Sequence, residues 1–386
     1  MRSIMSVLLA LVIIYGVLKY FKENALENLK YSRTFNRKRL YAGESLTLKV
    51  ELSNHKLLPL PWLRMVATYP SDLTIKGQKL QGIKGFLKHN HIAITSLFSF
   101  QKLTKTYEVT CEKRGFYTFC DVELKAGDWF GLENAEKIFY VPDQLIVYPK
   151  VFPLHHLGFE PNKPDGTVSV NRWIMPDPIE KIGLRDYSYS EPFHAIDWKA
   201  TARTGQMMVA NFDHKAEPAI MILLNTVQFK ADWKYSASAH YEDLINVAAS
   251  IVEEASKESV AVGMGYTAAV QSAKVGQLIL PDNLPGQRLV LLELLAKLSE
   301  YNKISAEDML NLYERIYEPH HTIFFLTESI TPELALRLNH LASNGYDLNI
   351  ALLEESDCLH MLSRGIKVHY PKCECIDGGA AHVQMA

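Results

Sequence analysis

The sequence predicts an all-β domain followed by an α/β domain whose sheet is parallel and doubly wound. Three observations lead to this fold class. Alternating apolar and polar residues, interrupted by many Pro and Gly, follow residue 44. Unbroken apolar runs alternate with helical patterns after residue 218. The length of 386 residues suits two or three domains. An apolar segment precedes both domains.

The N-terminal segment from Ile4 to Leu18 is almost entirely apolar. We predict a transmembrane anchor over residues 1–21, in which Lys19 snorkels and Tyr20 and Phe21 lie at the interface. A cleaved signal peptide is the competing interpretation, but no small-residue cleavage pattern follows the apolar core. A buried core helix is a third possibility.

The charges around this segment predict its orientation. Only Arg2 precedes it, whereas a basic flank follows, made of Lys19, Lys22, Lys30, Arg33, Arg37, Lys38 and Arg39. We therefore expect a single-pass protein of the cell membrane with a cytoplasmic body, whose basic flank also contacts lipid headgroups. Five cysteines without a disulfide-like spacing agree with a reducing compartment. An extracytoplasmic receptor domain would require the reverse orientation.

The first folded domain, residues 22–150, is predicted to be a β-rich, sandwich-like domain. Leu46, Leu48, Val50 and Leu52 alternate with polar residues, which is typical of a half-buried strand. Pro and Gly interrupt the following segments, and no long helical period occurs. Such a domain serves as a spacer or as an interaction surface.

The second folded domain, residues 218–386, alternates strands and helices. We predict strands at Ala219–Leu224, Val260–Met264, Thr322–Leu326, Leu348–Leu353 and Ile366–Tyr370. Helical spacing follows residue 244, and a leucine-rich helix spans 289–298. A further helix begins at Thr331–Pro332 and ends at Asn344–Gly345. This order predicts a parallel sheet with helices on both faces.

A linker, residues 151–217, connects the domains, and five prolines argue against regular structure in its first half. Its second half interleaves residue types that are enriched at binding hot spots or that form ion pairs: Arg185, Tyr187, Glu191, His194, Asp197, Trp198 and Arg203. One interpretation is a clamp between domains, built around a buried Trp198. The other is a surface that binds a partner directly.

This segment resembles the pattern R-x-Y-x-x-G-D-x-x-R-x-I-x-W-x-x-[ST]-A-R of the bacterial domain of unknown function family fifty-eight. The matching residues are Arg185, Tyr187, Ile196, Trp198, Thr201, Ala202 and Arg203. Ser190–Glu191 stands in place of Gly-Asp, and His194 in place of Arg. Residues 113–117 and 127–132 are similar to the family's R-G-x-Y and D-P-F-G-L elements, with Trp129 replacing Pro.

The resemblance implies a function as well as a fold. The C-terminal part of such proteins looks like a von Willebrand factor A-type domain, and they usually act beside MoxR-type AAA+ ATPases. They usually begin with two membrane helices, whereas this sequence shows one. The resemblance therefore implies a membrane-anchored adaptor that takes part in the assembly or maturation of protein complexes, with the ATPase as its partner.

A von Willebrand A-type domain can bind Mg²⁺ through D-x-S-x-S after its first strand. Here Asn225 replaces the Asp, and Val227 and Phe229 replace the serines. Asn225, Thr226, Thr327 and Glu328 are thus degenerate metal-site positions, and too few oxygen ligands are left. We predict no metal and no cofactor. Cys373 and Cys375 form a C-x-C pair without a second pair, which favours free thiols.

No sequence motif for catalysis is found. The chain has no phosphate-binding G-x-x-x-x-G-K-[ST] loop, no G-x-S-x-G and no H-E-x-x-H. A formal net charge of -2 also gives no reason to expect nucleic acid as a partner. We therefore predict a non-catalytic protein. The alternative is an enzyme of unrecognised type, with a polar site at the strand C-termini of the α/β domain.

Overall fold

The computed structural model of the chain divides into two units, each with its own core. The first comprises residues 1–150 and 293–298, and the second comprises 151–292 and 299–386. The structure describes residues 2–78, 81–82, 88–128, 134–155, 157, 181–187, 198–212, 219–228, 236–237, 240–271, 276–282, 284, 286–316 and 322–371.

Among its described residues, the first unit contains one whole helix and ten strands, and residues 293–298 add the end of a helix that begins in the second unit. The whole helix is α1 (Arg2–Asn24). The strands are β1 (Leu29–Phe35), β2 (Arg39–Tyr41), β3 (Ser45–Asn54), β4 (Leu60–Pro70), β5 (Leu73–Ile75), β6 (Gln81–Gly82), β7 (Lys88–Leu97), β8 (Lys102–Cys111), β9 (Gly115–Gly127) and β10 (Asn134–Tyr148).

These strands form two sheets that enclose one core. The sheet orders are β1-β3-β8-β5 and β2-β10-β9-β4-β7-β6. All pairs are antiparallel except β2 with β10. Every second side chain of β3 is buried, starting with Leu46, because successive side chains point to opposite faces of a sheet. The predicted β-rich character of this region is confirmed.

Two ionisable side chains lie inside this first core. His91 on β7 is buried, and its ring packs edge-on against Tyr107 at 5.1 Å between centroids. Burial, together with the charge of Lys105, lowers the pKa of His91. Arg33 is buried as well, and its Nη2 donates to the carbonyl oxygen of Val141 at 2.8 Å. Arg33 therefore cannot reach lipid headgroups, in contrast to its predicted place in the basic flank.

The N-terminal segment is helical, as α1. Among the residues that the structure describes, no helix has the length and apolar character needed to cross a membrane. The predicted transmembrane helix is thus not found in the structure. The C-terminal end of α1 and the turn after it contribute Phe21, Ala25 and Leu26 to the core.

The described residues of the second unit contain a central sheet and five α-helices, the third of which ends within residues 293–298 of the first unit. The helices are α2 (Trp198–Thr204), α3 (Tyr241–Lys257), α4 (Gln287–Lys297), α5 (Ala306–Ile316) and α6 (Pro332–Ser343), and a 3-10 helix spans Asp357–Met361. The strands are β11 (Lys181–Asp186), β12 (Met208–Phe212), β13 (Ala219–Leu224), β14 (Val227–Gln228), β15 (Ser236–Ala237), β16 (Ala261–Tyr266), β17 (Ala268–Val270), β18 (Leu278–Asp282), β19 (Leu298–Asn302), β20 (Thr322–Thr327), β21 (Asp347–Leu352) and β22 (Lys367–His369).

The central sheet has the strand order β18-β16-β13-β20-β21-β22. All neighbours are parallel except the edge strand β18. Every residue of β13, β16 and β20 is buried, as expected of parallel strands covered on both faces. The predicted α/β fold class is confirmed at this level.

Local signals set two features of this unit. Thr331 caps α6 by accepting a hydrogen bond from the backbone N–H of Leu334 at 3.2 Å, and Gly345 follows the helix with a φ of 90°. Gly263 on β16 lets the edge strand approach closely. A Cβ at this position would lie 2.6 Å from the backbone nitrogen of Pro281.

Candidate functional site

The carboxyl ends of β13 and β20 form the crevice of the central sheet. The chain leaves β13 through α3 to β16 on one side, whereas β20 lies on the other side of β13. The strand order therefore reverses between β13 and β20, which is where α/β sheets hold their ligands. The residues that follow these two strands are Asn225, Thr226, Thr327 and Glu328. All four are buried.

Three of these four residues are held by side-chain hydrogen bonds. Asn225 Nδ2 donates to Thr327 Oγ1 at 3.1 Å, and Asn225 Oδ1 accepts from the backbone N–H of Val227 at 3.2 Å. Thr226 Oγ1 donates to Asn302 Oδ1 at 2.6 Å and lies 3.0 Å from Thr267 Oγ1. The network satisfies buried polar groups, which would otherwise be costly.

Glu328 belongs to a second group of side chains at the same edge. Its carboxylate, the Glu354 carboxylate and the His240 imidazole each offer one donor atom, and these atoms lie within 4.8 Å of one another. His240 directly precedes α3, Glu328 follows β20, and Glu354 lies just beyond β21. The backbone N–H of Glu354 donates to the carbonyl oxygen of Glu328 at 3.0 Å. We call His240, Glu328 and Glu354 the strand-end cluster.

The imidazole of His240 is placed between acidic groups. Its Nδ1 lies 3.2 Å from Asp243 Oδ2, and its Nε2 lies 3.3 Å from Glu354 Oε1. Burial lowers the pKa of His240, but the hydrogen bond to Asp243 and the charges of Glu328, Asp243 and Glu354 outweigh that effect. The pKa of His240 is therefore raised above its ordinary value.

The structure brings together residues that the sequence pointed to and adds others. Asn225 and Thr327 are in contact, and Glu328 joins the strand-end cluster. Sequence reasoning missed His240 and Glu354. Their signal was position, since each lies near the end of a strand or the start of a helix at the carboxyl edge of the sheet.

The signature segment of the linker forms regular structure on either side of its centre. β11 pairs antiparallel with β12, with Arg185 opposite Val209. The backbone N–H of Tyr187 donates to the carbonyl oxygen of Met207 at 2.9 Å. Thr201 Oγ1 of α2 accepts from the backbone N–H of Met208 at 3.1 Å. Three of the predicted site residues, Glu191, His194 and Asp197, lie outside the described residues.

Trp198 lies on the solvent side of α2. Its side chain is 63% exposed, and Met207 beyond the helix is 50% exposed. Arg203 is exposed, whereas Ala200 is buried in the helix. The clamp interpretation included a buried Trp198, and this expected burial is wrong.

The R-G-x-Y element also has a structural role. Arg114 Nη1 donates to the carbonyl oxygens of Leu295 at 2.7 Å and Leu298 at 3.1 Å. Tyr117 Oη donates to the carbonyl oxygen of Lys113 at 2.9 Å, and a Cβ at Gly115 would lie 3.0 Å from the Tyr117 ring. The second family element has residues 129–132 outside the described residues.

The first unit exposes apolar side chains along α1 and on two loops. Along α1 the exposed large apolar residues are Ile4, Met5, Leu8, Leu9, Val12, Ile13, Ile14, Tyr15, Val17 and Tyr20. Two loops lie beside the C-terminal end of this helix, because Lys56 Nζ donates to the carbonyl oxygens of Ala25 at 2.7 Å and Glu27 at 2.6 Å.

The tips of these two loops carry Leu57, Phe98 and Phe100, which we call the loop-tip patch. Leu57 is 76% exposed and Phe100 is 68% exposed. The loops are joined to each other, because the hydroxyl of Ser99 donates to the carbonyl oxygen of Leu57. Phe100 adopts a φ of 51°, a left-handed conformation that aromatic residues rarely take.

Comparisons with known proteins relate part of the chain to others. The family described as "Protein of unknown function DUF58" matches residues 183–305. "Uncharacterized protein YeaD" of Bacillus subtilis (strain 168) is 26% identical over 241 residues, which cover 62% of this chain and 56% of that protein. The chain thus matches just over half the length of this relative. Both matches support the relationship that the signature predicts.

Solved structures match at a lower level. A CARDB domain from Pyrococcus furiosus is 13% identical with a TM-score of 0.20, covering 31% of this chain and 91% of that domain. A non-cellulosomal cohesin from Archaeoglobus fulgidus is 9% identical with a TM-score of 0.22, covering 31% and 91% respectively. TM-scores this low carry no argument about fold or function.

Proposed function

We propose that this protein is a non-catalytic, membrane-attached adaptor that binds a partner protein through a surface of its α/β unit. The expected partner is a MoxR-type AAA+ ATPase. The expected role is the assembly or maturation of protein complexes at the cell membrane. The observation that carries this proposal is the exposed Trp198 on α2, inside the signature that relates the chain to its family.

An exposed tryptophan side chain is costly for a protein in water. A Trp side chain is large and mostly apolar, so an exposed one gains free energy when a partner covers it. Trp and Arg are the residue types most enriched at the centres of protein interfaces. α2 presents both, as Trp198 and Arg203, and buries little of itself.

The identity of the partner comes from the family resemblance. Proteins with this signature usually act beside MoxR-type ATPases, and the matched residues 183–305 include α2, β13 and β16. We also propose that the α/β unit is von Willebrand A-like. The parallel sheet with one antiparallel edge strand and helices between its strands supports this finer assignment.

Membrane attachment through α1 forms part of the proposal, and we propose that the body lies on the cytoplasmic side. Its support is the set of ten exposed large apolar side chains on α1. The loop-tip patch lies beside the end of this helix and adds three more exposed apolar side chains. Apolar loop tips beside an apolar helix suit the boundary of a bilayer.

A detergent pull-down from native membranes tests the adaptor role. We expect a AAA+ ATPase to co-purify with the wild-type chain. Trp198→Ala should weaken this binding by about 30-fold or more, since a hot-spot residue contributes about 2 kcal/mol or more. Tyr301→Ala is the matched control, because Tyr301 is an exposed aromatic residue elsewhere in the same unit.

The recovery of the ATPase distinguishes three outcomes. Loss of the ATPase with Trp198→Ala and retention with Tyr301→Ala would support the proposal, provided that both variants unfold at the wild-type temperature. Equal recovery of the ATPase with wild type and with both variants would show that α2 is not the docking surface. Recovery of no ATPase even with the wild-type chain would contradict the adaptor role.

An enzyme with its site at the strand ends is the second candidate. The strand-end cluster favours it, since an imidazole and two carboxylates meet at the crevice of the sheet. The hydrogen bonds between Asn225 and Thr327 and between Thr226 and Asn302 argue against it, because these side chains are engaged with the protein itself. A turnover of any substrate that His240→Asn abolishes would establish this candidate instead.

A further inference from the structure

We propose that His240, Glu328 and Glu354 form a binding site for one divalent transition-metal ion, with Asp243 as the residue that orients the imidazole. The sequence alone pointed to a degenerate site at Asn225, Thr226, Thr327 and Glu328, and hence to no metal. The proposed site shares one residue with these positions and takes its other ligands from neighbouring connections of the sheet. Glu328 is retained, and the other two ligands come from the start of α3 and the end of β21.

The three donor atoms lie close enough for one ion. Ligand atoms about 2.0–2.2 Å from a shared ion are at most about 4.4 Å apart. The donors of the strand-end cluster lie within 4.8 Å of one another. Glu354 is about half exposed, so a small side-chain rotation can bring its carboxylate the few tenths of an ångström closer that a shared ion requires. Glu328, in contrast, is buried, with only 3% of its surface exposed.

The position of Asp243 is a second, independent feature of a metal site. Metal-binding histidines usually give one ring nitrogen to the ion and bond a carboxylate through the other. His240 Nδ1 lies 3.2 Å from Asp243 Oδ2, so Nε2 is the nitrogen directed towards Glu354. The two residues are three positions apart at the start of α3, so the first turn of the helix brings their side chains together.

The place in the fold and the charge agree with this assignment. The cluster lies at the point where the strand order of the sheet reverses, between β13 and β20. Asp243, Glu328 and Glu354 together concentrate acidic charge around one imidazole, and a divalent cation compensates it.

The ligand types select the class of ion. One imidazole and two carboxylates suit Zn²⁺, Mn²⁺ or Fe²⁺, whereas Mg²⁺ and Ca²⁺ prefer oxygen ligands alone. Three protein ligands leave at least one coordination position for water or for a carboxylate of a partner protein. The metal site contains no residue of the docking surface proposed on α2, so each proposal can be tested independently of the other.

Isothermal titration of the purified full-length chain in detergent, treated first with a chelator, tests this site. We expect Zn²⁺ and Mn²⁺ to bind at one ion per chain, and Mg²⁺ to bind far more weakly. Glu354→Gln should lower the affinity by at least about tenfold, and Asp243→Asn by about 10–100-fold. Glu354 is exposed, so its variant should fold normally.

Two surface residues provide matched controls. Glu355→Gln changes the exposed carboxylate next to Glu354, and His360→Asn changes an exposed histidine outside the cluster. Unchanged affinity in both controls with loss in Glu354→Gln and His240→Asn would establish the site. Binding that no cluster variant weakens, or that never saturates at one ion per chain, would overturn it.

Discussion

The buried hydroxyl of Thr226 offers a test of whether the strand-end network is structural. Thr226→Val keeps the shape of the side chain and removes the hydroxyl, which takes part in contacts with Asn302 at 2.6 Å and with Thr267 at 3.0 Å. Each neutral hydrogen bond contributes about 0.5–1.5 kcal/mol. We therefore expect the free energy of unfolding to fall by about 1–3 kcal/mol, or roughly 2–10 °C in the unfolding temperature.

Chemical denaturation of wild type, Thr226→Val and Thr226→Ser measures this effect. The serine variant keeps the hydroxyl and loses one methyl group, so it should cost about 1 kcal/mol or less. Because the network does not include His240 or Glu354, the metal affinity of Thr226→Val should equal that of wild type. A loss below about 0.5 kcal/mol would refute the energetic reasoning. A parallel loss of metal affinity would refute the separation of network and cluster.

Three further predictions concern stability. Gly263→Ala should lower the free energy of unfolding by about 1–3 kcal/mol in denaturation experiments, because its Cβ would meet the Pro281 backbone at 2.6 Å. Gly286→Ala, where a Cβ has open space, is the control and should be nearly neutral. Thr331→Ala should cost about 0.5–2 kcal/mol through loss of the α6 cap, and Thr331→Ser, which retains a capping hydroxyl, should restore most of it. The lowered pKa of His91 means that its contribution to stability is present above about pH 6.5 and is lost as the pH falls below that value, where the unfolded chain takes up the proton first. His91→Leu should therefore flatten the dependence of unfolding free energy on pH between about 7 and 5, and an unchanged slope would contradict this assignment.

Much of the α/β unit could be predicted because its signals are local. The run Ala219–Leu224 became β13 with every residue buried, since a strand covered on both faces has no polar side. Thr331 and Gly345 marked the two ends of α6 because a cap and a positive φ each depend on one residue. α5 was missed, although Ala306, Met309, Leu310 and Tyr313 have the spacing of a buried helical face.

The candidate site was less accessible to sequence reasoning. Glu328 and Asn225 were found because both directly follow buried strands. His240 and Glu354 lie close to Glu328 only because the start of α3 and the end of β21 meet at the same edge of the sheet, which is a contact between residues far apart in the sequence. The exposure of Trp198 was also hidden, because a seven-residue helix with polar neighbours does not show which side its one large apolar residue faces.

Photo-crosslinking from position 198 tests the adaptor proposal most directly. A photoreactive amino acid replaces Trp198 in one variant and Tyr301 in another, and crosslinked products in intact cells are identified by mass spectrometry. The proposal predicts a AAA+ ATPase crosslinked from position 198 and not from position 301. An absence of ATPase crosslinks from position 198, with the variant folded and present in the membrane, would contradict it.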